Sequence, residues 1–260
     1  LSLELDPQNE DALLTRSALY LELKEYEKSI EISNKIIKNN PNGSIGWHWK
    51  ARALYELKKL KDACHAHEKG LEIDPSFAEP WKDLGLIYLE LEEFPKAIHS
   101  FKQHIKFSDN GVSWTYVAEA HEEQEDFQKA LECYDKGLKS EPNSIELLEG
   151  KAALLTKLDK DEKALKIYDK IQRLLEKENK VEDAMDFDKE EQEIMNSNDE
   201  VNFYYNKALS LKKLERYEEA YQTIEDGFRL TNSFNLDLLE LKLDIFKING
   251  NYLEGLAIVR

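Results

Sequence analysis

The sequence predicts an all-α chain of stacked helix pairs, and three observations carry that prediction. A residue that closes a turn between two helices recurs as Tyr26, Leu60, Phe94 and Phe127, at spacings of 34, 34 and 33 residues. That period belongs to a repeated two-helix unit and not to the helical turn itself. Three residues after each stands a small side chain, Ser29, Ala63, Ala97 and Ala130, which lets two helices approach closely. Composition agrees: 41% of the residues are hydrophobic and 34% charged, with ten Gly and six Pro in 260, which suits long amphipathic helices and leaves little room for sheet.

The ladder continues through Asp161, the odd member, to Tyr217 and Tyr252, with Ala164, Ala220 and Gly255 as the small partners. Helix stops keep the same phase at Asp6-Pro7, Asn40-Pro41, Asp74-Pro75 and Glu141-Pro142, because proline restricts the residue before it and cannot continue a helix. The expected repeats are 10–43, 44–77, 78–110, 111–144 and 145–178, then 201–234 and 235–260. Residues 1–9 read as the end of a preceding repeat helix, 179–200 as an acidic insertion, and Leu253–Arg260 as a second helix cut short. Both ends therefore read as those of a piece of a longer chain.

Within each pair, the first helix carries Trp47, Trp81, Trp114, Leu148 and Tyr204 at equivalent places, with Ala51, Gly85, Ala118, Ala152 and Ala208 four residues on. Large and small at i and i+4 share one helix face, so these positions are expected to form a buried knob and its socket. In the second helices Ile36, Gly70, His104, Gly137, Ile171 and Gly227 mark the close approach, and His104 departs from the small residue usual there. Pro95 falls where a second helix should begin, a first-turn position that tolerates proline.

The most regular stretch is Trp81-Lys82-Asp83-Leu84-Gly85-Leu86-Ile87-Tyr88, followed by Phe94, Ala97 and Phe101. It resembles one repeat of the tetratricopeptide (TPR) family, whose unit is a helix-turn-helix of about 34 residues. The resemblance implies a right-handed superhelical solenoid of antiparallel helix pairs, with the first helices lining a concave groove. Residues of those helices that lie off the packing face become the expected partner-binding surface. They are Leu14 and Ala18, then Ile45, His48, Trp49, Arg52 and Tyr55, then Lys82, Asp83 and Leu86, then Tyr116 and Glu119, and finally Asn202, Tyr205 and Asn206. Trp49 has two readings. As a groove residue it is an interface anchor of the type enriched at hot spots; alternatively it covers the neighbouring repeat and touches no ligand.

Charge and composition exclude several function classes. A net charge of −17 repels a phosphate backbone, no window holds the clustered Lys and Arg that nucleic-acid binding needs, and anionic membranes are disfavoured likewise. No apolar run reaches the length of a membrane span, and the first seven residues lack the charged region of a signal peptide. Two cysteines, Cys64 and Cys133, make no disulfide framework and point to a reducing, cytoplasmic setting. Residues 176–200 hold eleven acids against three lysines, a net −8 of the total −17. This block reads as a solvated loop or helical extension, or else as a docking element for a basic partner.

No catalytic constellation and no cofactor motif is visible, whether Gly-rich phosphate loop, Ser-centred elbow or HExxH pattern. In Cys64-His65-Ala66-His67 only Cys64 and His67 share a helix face, two ligands short of a structural zinc site, so no metal is expected and His67 reads as packing. Asp186 to Glu191 lacks the central Gly and spaced terminal Glu of a calcium loop. The TPR clamp for chaperone C-terminal tails uses Lys and Asn, then Asn, then Lys and Arg on successive first helices. Here one frame offers Leu14 and Ala18, Trp49, then Glu79 and Asp83, and the next offers His48 and Arg52, Asp83, then Val112 and Tyr116. Neither rebuilds it. The expected function is a non-catalytic scaffold that binds a peptide or partner helix in the groove. The alternatives are a substrate-targeting module of a larger enzyme and a structural subunit, a homo-oligomer included.

Overall fold

A computed structural model describes residues 9–108, 111, 113–185, 197–231 and 235–248, apart from the side chains of 178–185, 197–200 and 230–231. Among the described residues there are thirteen helices and no strand. They fall into two compact units, Leu1–Ser140 and Glu141–Arg260. The expected features at Leu1–Asp6, at Asp186–Glu191 and beyond Asn249 lie outside the described residues.

The first unit is four helix pairs: α1 (Glu10–Glu22) with α2 (Tyr26–Asn39), α3 (Ile45–Glu56) with α4 (Leu60–Ile73), α5 (Ala78–Glu90) with α6 (Phe94–Ser108), and α7 (Ser113–Glu122) with α8 (Phe127–Ser140). The turn inside each pair is built one way throughout. Lys24, Lys58, Glu92 and Glu125 take left-handed φ values of 59°, 58°, 57° and 56°. In the third pair, for instance, the Glu92 N–H donates to Leu89 O at 2.9 Å and the Glu93 N–H to Tyr88 O at 2.8 Å. This is the hydrogen-bonded stop that glycine usually supplies. Charged residues fill it here, at the steric expense of a Cβ in the left-handed region, so the turn escapes a search for glycine.

Small residues let the helices touch. Ala51, Ala63, Ala97, Ala118 and Ala130 are wholly enclosed. Gly85 faces Phe101, itself 0% exposed, so closely that a Cβ would stand 2.5 Å from the ring. In the first pair serines take these places: the Ser17 and Ser29 hydroxyls lie 3.0 Å apart and those of Ser17 and Ser33 2.9 Å apart, all buried. Pro95 sits in the first turn of α6, as expected.

One expectation needs correction. Trp47, Trp81 and Trp114 are half-buried and not enclosed knobs. The small residue on the same face, Ala51, Gly85 or Ala118, takes the enclosed place. Trp81 uses its free edge to donate from Nε1 to Pro75 O at 2.8 Å, while Lys50 and Lys136 lie over Trp47 and Trp114. His104 fills the close-approach position and is satisfied by a polar contact, its Nδ1 lying 2.7 Å from Ser113 Oγ at the start of α7.

The second unit holds α9 (Ile145–Lys157), α10 (Asp161–Met185), α11 (Ser197–Lys213), α12 (Tyr217–Thr231) and α13 (Leu236–Ile248). Its turns repeat the left-handed stop at Asp159 and Glu215, with φ 54° and 59°. Helix α10 runs beyond the expected repeat end at 178, and α11 begins inside the acidic stretch, so both ends of 179–200 are helical. In the first unit α1 touches α3 and α3 touches α5, first helix to first helix, and in the second α9 touches α11 and α11 touches α13. Among the described residues no second helices of neighbouring pairs make a comparable contact. The first helices therefore stand on the tighter side of each unit.

Candidate functional site

Helices α3 and α5 place the main candidate site. Arg52 and Tyr55 from α3, and Asp83 and Leu86 from α5, line one cavity of about 130 Å3 together with Glu56, His67 and Ile87. Four of the fifteen expected groove residues thus converge on one place. Arg52 is exposed, and its guanidinium lies 5.3 Å from the centre of the Trp49 ring. Trp49 itself is half-buried; its indole N–H is enclosed and has no acceptor, so the ring offers an edge to solvent while its polar atom does not. Lys82 is engaged by Glu79 at 2.9 Å.

His48 is the groove residue that the structure moves. It is only 7% exposed and packs among Trp49, His67 and Phe77, with ring centres 5.5, 5.6 and 5.2 Å away. It stands off the Trp47 face, as the groove residues do, but the surrounding rings of Trp49, His67 and Phe77 enclose it. The expectation that His48 lines an accessible wall is therefore withdrawn.

The remaining groove residues are dispersed. Leu14 packs on the buried Leu13, Ile32 and Ile36, and Ala18 and Ile45 are half-buried. Tyr116 stacks on Phe101, with ring centres 5.0 Å apart and planes 20° from parallel. Glu119 is exposed and borders a wide depression of about 620 Å3 with Leu89, Glu90, Glu92, Phe94 and Glu123. Asn202 is exposed and Tyr205 and Asn206 half-buried on α11 of the second unit, away from the cavity lining there.

Beneath the α3–α5 cavity lies a group that sequence counting missed. His48 Nδ1 is 3.7 Å and His67 Nε2 3.8 Å from Asp83 Oδ2, and one donor atom from each of the three lies within 4.8 Å of the others. Burial lowers the imidazole pKa of His48 to about 4, helped by Arg52, and that of His67 to about 3, helped by His48 and Arg52. Burial raises Asp83 to about 6, against the opposing pull of Arg52 and Lys82. Both rings are then neutral at pH 7, so these contacts are not ion pairs, and they are too long for hydrogen bonds. His67 Nδ1 and Nε2 and His48 Nδ1 are buried without a hydrogen-bond partner. Cys64, near in sequence to His67, is not part of this group; burial pushes its thiol up to about 11. The signal was absent from the sequence because the three residues stand on three helices, α3, α4 and α5.

Comparison with known proteins bears on this architecture. Models described as "Tetratricopeptide repeat" match residues 11–43, 112–154 and 201–234. Over 75 residues the chain is 36% identical to the protein STIP1 homolog of Dictyostelium discoideum, a match that covers 29% of this chain and 13% of that one. The chain spans less than half the length of the curated relatives it matches. The solved structure of PilF from Pseudomonas aeruginosa superposes with a TM-score of 0.65 at 16% identity, covering 90% of this chain and 97% of that one. YrrB, described as a TPR protein with an unusual peptide-binding site, gives a TM-score of 0.56 at 17% identity over 81% of this chain and 97% of its own.

Proposed function

We propose that this chain, a member of the tetratricopeptide repeat family, works as a non-catalytic scaffold that holds a protein segment along the face of its first helices. The observation that carries the reading is the convergence of Arg52, Tyr55, Asp83 and Leu86 on one cavity, beside the Arg52–Trp49 stack. Arginine and tryptophan are the residue types that most often anchor interfaces. The depression bordered by Glu90, Glu92, Glu119 and Glu123 supplies the opposite preference, so the segment favoured has an apolar end for Trp49 and a basic end for the acids.

The same charges argue against an anionic ligand. At the positions where TPR domains place the Lys and Asn of a carboxylate clamp, this chain carries Leu14, Ala18, Trp49, Glu79 and Asp83. In the alternative register His48 is buried. The absence of the clamp residues speaks against a chaperone C-terminal tail as the partner. No described helix is long and apolar enough to cross a membrane, and the buried free thiols of Cys64 and Cys133 support a reducing, cytoplasmic setting.

An affinity capture with the wild-type chain against Trp49→Ala, followed by identification of what is lost, tests the reading. Loss of a defined partner from the variant is the expected result. Identical capture by both proteins would contradict it.

A further inference from the structure

We propose that His48, His67 and Asp83 form a binding site for a divalent transition-metal ion of the zinc class, with two imidazole ligands, one carboxylate and at least one position left open toward the α3–α5 cavity. The residue types suit such an ion, since imidazole serves zinc, nickel and iron, and carboxylate completes three-ligand sites that keep an open position. Geometry supports it independently. Ligand atoms about 2.0–2.2 Å from a tetrahedral ion lie roughly 3.4 Å from one another. The observed 3.7 Å and 3.8 Å to Asp83 Oδ2 exceed that spacing by a few tenths of an ångström, and the three ligand atoms all lie within 4.8 Å of one another, so rotation of the two rings toward Asp83 completes the site.

The polar atoms are otherwise unexplained. A buried polar atom without a partner is destabilising and rare, and this small group contains three, His48 Nδ1 and both ring nitrogens of His67; an ion would satisfy His48 Nδ1 and the His67 Nε2 that faces Asp83. The His67 side chain is 0% exposed and the Asp83 side chain 23%, so an ion here is held from inside the protein and meets solvent only through the cavity. Arg52 and Lys82 are the cations that oppose it. Arg52 is exposed and stacked on Trp49, and Lys82 is engaged by Glu79, so neither occupies the position between the three ligands.

Calorimetric titration of zinc into the chelator-treated chain, with cobalt absorption as a second readout, tests the site. Wild type is expected to bind one zinc ion per chain and to give cobalt the visible band of a four-coordinate site. Asp83→Asn, which keeps the shape of the side chain, and His67→Gln should each weaken zinc at least tenfold and abolish the band. His65→Ala, on the exposed face of the same helix, should leave both unchanged. Absence of zinc binding in the wild type overturns the proposal. Equal affinity in wild type and both ligand variants also overturns it, because it would mark an adventitious ion on surface carboxylates.

Discussion

The Cβ that Gly85 lacks would stand 2.5 Å from Cε1 of Phe101, a ring that is itself 0% exposed. Helices α5 and α6 meet there with no room for a methyl group. Gly85→Ala forces the ring or the helix aside, which destabilises by about 1–3 kcal/mol as overpacking does, even though alanine is the better helix former. Urea unfolding followed by circular dichroism measures it, and an unchanged midpoint would show that the helices are not in such contact.

The turn stop offers a change of opposite sign. Glu125 holds φ 56° where a Cβ is strained by about 1–2 kcal/mol. Glu125→Gly removes that strain, offset in part by about 0.5–1 kcal/mol of extra unfolded-chain entropy. A net gain of about 0.5–1 kcal/mol is expected in the same assay.

Acid should act through the buried histidines. His48 and His67 have folded pKa values of about 4 and about 3 against an ordinary 6.5. The unfolded chain therefore takes up protons first as pH falls below 6.5. Their contribution is intact above that pH and is lost toward pH 4, at about 1 kcal/mol per pH unit for each ring. Asp83 has the other sign. Raised from 3.8 to about 6, it lowers stability above pH 6, and this effect fades as pH falls toward 3.8. Metal-free Asp83→Asn should accordingly be more stable than wild type at pH 7 and indistinguishable near pH 4, as followed by urea melts across that range. Parallel curves would contradict the assignment.

In the second unit Thr156 Oγ1 and Ser210 Oγ lie 2.8 Å apart, both buried, and Lys213 Nζ donates to Thr156 O at 2.9 Å. These bonds join α9 to α11, the first helices on either side of the acidic stretch. Ser210→Val leaves the Thr156 hydroxyl with fewer partners and should destabilise by about 1–2 kcal/mol. Hydrogen exchange would locate the loss in α11.

The fold was legible because it rests on residue size at a fixed period. Ala63, Ala97 and Ala130 could be read as close-approach points from spacing alone, and all are enclosed. The large partners were read less well: spacing gives the face on which Trp47 or Trp81 stands but not how much of the indole is enclosed, and both are half-buried. Left-handed turn residues escaped because Lys24, Lys58 and Glu92 carry no glycine signal. The site was legible only in part. Arg52, Tyr55, Asp83 and Leu86 followed from the face they occupy, whereas His67, on a second helix, enters the cavity from beneath. That approach depends on how α4 packs between α3 and α5, and no single-helix pattern encodes it.

In the proposed function the face of the first helices binds a protein segment through Trp49 at an apolar end and through the acids around Glu119 at a basic end. The most direct test is calorimetric titration of a library-selected peptide of that pattern into wild type, Trp49→Ala and Glu119→Lys. Wild type should bind measurably and each variant at least tenfold more weakly, a loss of about 1.4 kcal/mol. Unchanged affinity in both variants would contradict it.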